Sequence, residues 1–166
     1  MILPIYLYGS EKLRNENAEA DIQDKEGLTK LISDMWETLK AADGCGLAAP
    51  QVGVNLRVVI VDGTDLSDTY EYLHDFRRVM INPVVLEESE DVCDYSEGCL
   101  SVPGIYAEVT RPSKIKVEYY DENFEKVVEE FDRFGCRMVQ HELSHLEGNL
   151  FVDNVSPIRR KMIMRK

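Results

Sequence analysis

Two of the three histidines in this 166-residue chain fall within five consecutive residues, His141-Glu142-Leu143-Ser144-His145. Side chains four apart on a helix share a face, with about 5–6 Å between their Cβ atoms. Two imidazoles at that spacing can meet on one cation. Glu142 follows His141 directly and can lean towards a water held by that cation, the arrangement of a metal-assisted hydrolase whose acid moves the proton. Without a further ligand the same residues are two histidines on an ordinary helix, because a catalytic ion typically takes three protein ligands and keeps one position open.

The third ligand is not downstream. Peptidases that extend the pattern to H-E-x-x-H-x-x-G-x-x-H supply another histidine; this chain matches as far as Gly148, but Phe151 holds the final position and cannot bind metal. Beyond His145 the only acids are Glu147 and Asp153, both close to the expected helix end. A peptidase is therefore one ligand short, and the ligand must come from upstream. Among Cys45, Cys93, Cys99 and Cys136 there is no C-x-x-C pair, which argues against a zinc ribbon. Cys99 is the best candidate. It lies in Glu97-Gly98-Cys99-Leu100-Ser101, where Gly98 and an expected turn at Val102-Pro103-Gly104 let the backbone approach another element closely. Taken alone, Cys99 reads as a small buried thiol. His74, in a polar stretch with no partner pattern, reads as a surface residue.

The elements that must carry these residues are legible in outline. Leu28, Leu31, Ile32, Met35, Trp36 and Leu39 repeat at helical spacing and predict a helix over 25–42, with Asp24 as N-cap and Gly44 where it stops. A second helix is expected over about 134–147, its buried stripe formed by Cys136, Val139, Leu143 and Leu146 and its end marked by Gly148. Strands are expected over 57–61, continuous and buried on both faces, and over 79–86, where Pro83 signals an edge or bulge. A hairpin is expected from 114–120 and 126–131. Residues 62–75 read as a loop, and a short third helix is expected from Pro157.

Composition bounds the rest. The chain is 44% hydrophobic and 30% charged, as in an ordinary globular protein, and its length suits one domain over 1–166. No run of apolar residues is long enough to span a membrane and the start lacks a signal-peptide pattern, so a cytoplasmic address is expected. The net charge of -12 opposes binding to a phosphate backbone, which excludes general DNA binding. The stretch 156–166 differs: it holds Arg159, Arg160, Lys161, Arg165 and Lys166 and no acid.

Three segments resemble peptide deformylase: Gly44-Cys45-Gly46-Leu47-Ala48-Ala49-Pro50-Gln51, Glu97-Gly98-Cys99-Leu100-Ser101 and Gln140-His141-Glu142-Leu143-Ser144-His145. Their order and spacing are similar to the family's, and weaker similarity runs from Met1 to about Met162. The resemblance implies an α+β fold, with mixed or antiparallel β-sheets packed around a central helix that carries the H-E-x-x-H motif. It implies Cys99, His141 and His145 as metal ligands and Glu142 as general acid/base. Gln51, through its amide, and Leu100, through its backbone N–H, would hold the developing oxyanion. Gly44, Cys45 and Gly46 would meet the substrate backbone, with Cys45, Leu100 and Phe134 lining an apolar slot. The implied substrate is the N-formyl-methionyl end of a nascent chain, and the products are formate and a free amino terminus. The implied cofactor is one divalent ion. The Cys-His-His set suits Zn²⁺, Fe²⁺, Co²⁺ and Ni²⁺, and the resemblance favours Fe²⁺ in the cell. The basic stretch 156–166 either frays in solvent or meets ribosomal RNA.

One position departs from the family pattern. The residue usually found as Asp in H-E-x-x-H is Ser144 here. An Asp there would pair with a basic residue such as Arg111, so the expected consequence is on stability or ligand support, not loss of metal. A catalytically silent protein of the same shape is the alternative that Ser144 leaves open; Cys99, Glu142 and Gln51 argue against it.

Overall fold

The computed structural model describes residues 1–154; the basic stretch and the helix expected from Pro157 lie outside the described residues. Helix α1 spans Lys25–Ala42, the residues marked out by the apolar stripe. The Asp24 carboxylate accepts a hydrogen bond from the Gly27 N–H at 3.1 Å and caps the first turn. Leu28, Ile32, Met35 and Leu39 form the buried face. The left-handed residue at its end is Asp43, φ 55°, not Gly44; a short polar side chain tolerates that conformation, and the Gly44 N–H then bonds to the Leu39 carbonyl at 3.2 Å.

Seven strands follow among the described residues: β1 (Gly46–Ala48), β2 (Val58–Asp62), β3 (Arg77–Glu88), β4 (Val92–Cys99), β5 (Val102–Pro112), β6 (Lys114–Tyr120) and β7 (Lys126–Asp132). Five of them form an antiparallel sheet in the order β1-β2-β3-β6-β7, while β4 and β5 pair apart as an antiparallel hairpin. The Val58–Val61 run of β2 is fully buried on both faces, as its continuous β-branched sequence requires. Val58 and Ile60 pack with α1 through Met35 and Leu39. Val59 and Val61 face helix α2 (Arg133–Leu146) and pack with Val139 and Leu146. The antiparallel α+β arrangement around a central helix is therefore as expected, and among the described residues no helix is long and apolar enough to cross a membrane.

Pro83 marks a bulge. The β3–β6 register shifts between Ile81 and Val84, because proline has no N–H for the ladder. Asn82, at φ 52°, turns its side chain out to both backbone groups of Ala20. The segment expected as a loop contains two short 3-10 turns, Thr64–Leu66 and Glu71–Leu73, with Leu73 buried. The hairpin β4–β5 was not expected from the sequence. Val102-Pro103-Gly104, read as a turn, begins β5; the turn is Leu100-Ser101. Helix α2 lies between the sheet and this hairpin. It ends where the Asn149 and Gly148 N–H groups bond back to the carbonyls of Ser144 and His145 at 2.9 and 3.1 Å. Gly148 supplies the left-handed residue, φ 76°, which this kind of helix end needs.

Candidate metal centre

Helix α2 presents His141 and His145 on one face, with ring centroids 5.3 Å apart, as their spacing predicts. The end of β4 brings Cys99 to the same point, with Sγ 3.4 Å from His145 Nε2. One donor atom from each of Cys99, His141 and His145 lies within 4.8 Å of the others. A tetrahedral ion bound at about 2.3 Å to sulfur and about 2.0–2.1 Å to nitrogen holds those donors about 3.5 Å apart. The three residues therefore fit a divalent metal both in donor chemistry and in separation.

A buried carboxylate sets the tautomer of His141. Glu97 Oε1 lies 2.8 Å from His141 Nδ1, so Nδ1 carries its proton towards Glu97 and Nε2 is directed at the centre. Two arginines hold Glu97 in turn. Arg111 donates to both its oxygens, at 2.8 and 3.0 Å, and Arg137 donates at 2.5 Å. Arg137 is anchored further by the Cys93 carbonyl at 2.7 Å. Burial opposes ionisation of Glu97, but the hydrogen bonds from His141 and Arg111 hold its carboxyl well below the usual carboxylate range. His141 shows the same competition: burial lowers its pKa, and Cys99 and Glu97 push it up to about 10. Burial, helped by the nearby His141, keeps His145 well below the ordinary histidine value.

Ser144 points off the ligand face. Its hydroxyl accepts from Arg111 Nη1 at 2.8 Å and donates to the Gln140 carbonyl at 3.0 Å. It thus meets the arginine that an acid at this position would have met, and supplies a hydrogen bond without charge.

Glu142 lies between the candidate ligands and β1. Its Oε1 is 3.7 Å from His141 Nε2, and burial pushes its carboxyl up to about 7. Glu142 Oε2 is buried with no hydrogen-bond partner among the described residues, as expected of a group built to serve something other than the protein. Gln51 approaches from the short 3-10 turn Ala49–Val52. Its Oε1 accepts from the Ala48 N–H at 2.9 Å, which fixes the amide so that Nε2 faces Ser101 Oγ at 3.1 Å and Cys99 Sγ at 3.5 Å. A cavity of about 490 Å³ opens beside these groups, and Gly44, Cys45, Gly46, Leu100 and Phe134 all line it together with Cys99, His141 and Glu142. His74 is exposed and 3.9 Å from Asp75, away from the centre.

Glu97 and Arg137 were given no role by sequence reasoning. Signals existed for both: Arg137 stands one helical repeat before His141, and Glu97 stands two residues before Cys99 on one strand.

A family model described as polypeptide deformylase matches residues 2–161. The chain is 41% identical to a peptide deformylase of Cytophaga hutchinsonii over 166 residues, covering 100% of this chain and 89% of that one. Among solved structures, a probable peptide deformylase from Synechococcus phage S-SSM7 superposes with a TM-score of 0.83 at 41% identity, covering 92% of this chain and 99% of that one. A peptide deformylase from Legionella pneumophila superposes with a TM-score of 0.88 at 36% identity, covering 100% and 93%.

Proposed function

The chain belongs to the polypeptide deformylase family of hydrolases, and on that premise we propose that it removes the formyl group from the N-terminal formyl-methionine of nascent peptides, giving formate and a free amine. The observation that carries this reading is the convergence of Cys99, His141 and His145 donor atoms within 4.8 Å, next to Glu142 and Gln51. Cys99, His141 and His145 would hold a divalent ion, which when bound would supply a nucleophile at neutral pH by lowering the pKa of water from 15.7 towards about 7. Glu142 takes a proton from the attacking water and delivers one to the departing amine nitrogen. Gln51 Nε2 and the Leu100 N–H donate to the carbonyl oxygen as it gains charge. A donor of this kind is typically worth about 3–4 kcal/mol when it is in place beforehand, and Ala48 keeps the Gln51 amide in place. Cys45, Leu100 and Phe134 take the methionine side chain. A formyl carbon carries only hydrogen, so a centre this enclosed rejects larger acyl groups by contact.

The glycine of β1 is part of the same machinery. A Cβ on Gly46 would stand 2.9 Å from Glu142 Cγ and Cδ and 3.0 Å from its Oε1. Gly46→Ala is expected to displace the carboxylate and lower kcat by about 10²-fold, the cost of a misplacement near 1 Å, with metal content unchanged. Wild-type kcat in that variant would show that the carboxylate does not need its present position.

Protein purified without oxygen and assayed for formate release from formyl-Met-Ala-Ser tests the activity. We assign Fe²⁺ as the ion used in the cell; activity should then decay in air and persist after replacement by Ni²⁺ or Co²⁺. Full, oxygen-insensitive activity with Zn²⁺ alone would overturn the iron assignment. Absence of formate with every one of these ions would overturn the deformylase reading.

A further inference from the structure

The two candidate histidine ligands are held in different ways. His141 is oriented through its ring, because Nδ1 has Glu97 as its partner at 2.8 Å. His145 turns Nε2 towards Cys99 Sγ, and its Nδ1 is buried with no hydrogen-bond partner among the described residues. A metal-ligating histidine is usually fixed by a hydrogen bond from its second ring nitrogen. Where the protein supplies no such bond, the ring goes where its backbone carries it. His145 stands in the last turn of α2, beside the final residue, Leu146. The last carbonyls of a helix have no partner within it, so this turn keeps its shape only if donors come from elsewhere.

Asn17 brings such donors. It is buried, and its Nδ2 donates to the Leu146 carbonyl at 3.0 Å and to the His145 carbonyl at 3.5 Å. Its amide cannot turn round, because Oδ1 accepts from Asn55 Nδ2 at 3.0 Å. Asn55 is fixed in turn: Nδ2 also donates to the Lys12 carbonyl at 3.1 Å, and the Asn55 carbonyl accepts from the Ala18 N–H at 3.1 Å. Two arginines act on the same helix end. Arg57, just before β2, donates to the Leu146 carbonyl at 3.4 Å and pairs with Glu147, and Arg14 donates to the Gly148 carbonyl at 2.8 Å. Asn17 is the one of these three side chains that reaches the peptide group of His145 itself.

We propose that Asn17 is a positioning residue for the metal ligand His145, acting through the backbone at the end of α2, which rests on the metal-centre reading above. A small shift of the last turn moves the imidazole with it, since the protein gives the far side of that ring no anchor of its own. The alternative is that Asn17 only satisfies a buried helix end and contributes stability without affecting the ligand.

Cobalt-loaded protein separates the two. The chains compared are wild type, Asn17→Leu, which keeps the size and loses the donors, Asn17→Ser, which is too short to reach α2, and Asp24→Ala, which removes the cap of the other helix. Two quantities are read on folded protein: the sulfur-to-cobalt absorption band and the rate at which a chelator removes Co²⁺. Both Asn17 variants are expected to show an altered band and to lose the ion about 10-fold faster, the usual cost of a lost ligand support. Their kcat for formyl-Met-Ala-Ser should fall by a similar factor with KM little changed. Asp24→Ala should melt lower, as loss of a cap requires, and keep the wild-type band and release rate. A wild-type band and release rate in the Asn17 variants would overturn the proposal, whatever their melting temperatures. So would an equal change in Asp24→Ala, because lost stability alone would then account for it. Should Asn17→Leu fail to fold, Asn17→Ser decides by the same readings. Wild type without a sulfur-to-cobalt band would remove the metal centre and the proposal together. Absence of formate release, with band and release rate as expected, would count against the deformylase activity alone.

Discussion

Glu142→Ala is expected to lower kcat/KM for formyl-Met-Ala-Ser by about 10²–10⁴-fold, the usual range for a lost general acid/base, while metal and stability are retained. Metal should stay because Glu142 is not one of the three converging donors, Cys99, His141 and His145. Stability should stay because the carboxylate is a burden to the folded chain. It is buried, its pKa is pushed up by that burial to about 7, and its Oε2 has no partner among the described residues. A buried polar oxygen without a partner costs about 1–3 kcal/mol, and alanine is the strongest helix former for the position. The variant should therefore melt at or above the wild-type temperature. Glu142→Gln is the companion: it fills the same space but cannot accept a proton, so it should be as inactive as the alanine variant. Metal analysis, melting and formate release on the same preparations check all three points. Activity within tenfold of wild type in the metal-loaded variants, or an activity loss that merely tracks metal loss, would remove Glu142 from the proton path.

How much of this was legible depends on whether local pattern and tertiary role agree. Helix α1 runs over the residues its stripe marks, since Leu28, Ile32, Met35 and Leu39 serve only the core and Asp24 serves only the cap. β2 was legible for the same reason. The hairpin was not. The side chains of β4 between Val92 and Cys99 include Asp94, Ser96 and Glu97, and those turned inward include a carboxylate that serves His141 instead of the core. Cys93 and Tyr95 alternate with the exposed Asp94 and Ser96, but the next inward residue is Glu97, so the apolar alternation is too short to read as a strand. The helix motif displayed His141 and His145 as a candidate pair, and the glycine-flanked setting made Cys99 the best third candidate, but only the family resemblance set it apart from a buried thiol. The pairing of Arg137 with Glu97 joins residues 40 positions apart, a distance over which spacing carries no signal.

That pairing makes Glu97 the position where stability and metal binding are both expected to fail. Arg111 and Arg137 are 7% and 3% exposed and share this carboxylate. Breaking a buried ion pair by removing one partner costs about 3–5 kcal/mol, because the remaining charge stays out of water. Glu97→Gln keeps the shape and removes the charge, so its metal-free form should lose stability in that range in a urea titration. The same substitution leaves His141 Nδ1 at most a neutral amide oxygen in place of the carboxylate, and loss of such a carboxylate support typically weakens metal binding by about 10–100-fold. The pH dependence gives an independent sign. Glu97 has a folded pKa below its ordinary value, so its contribution is complete above the unfolded pKa of about 4.3. That contribution is lost as pH falls through the lower folded value. The acid limb of the stability curve should therefore be shallower in Glu97→Gln than in wild type, with the two curves converging at low pH. A metal-free variant within about 1 kcal/mol of wild type, set against the expected 3–5, would mean that the arginines find other acceptors. Unchanged metal affinity would mean that His141 holds its tautomer without Glu97.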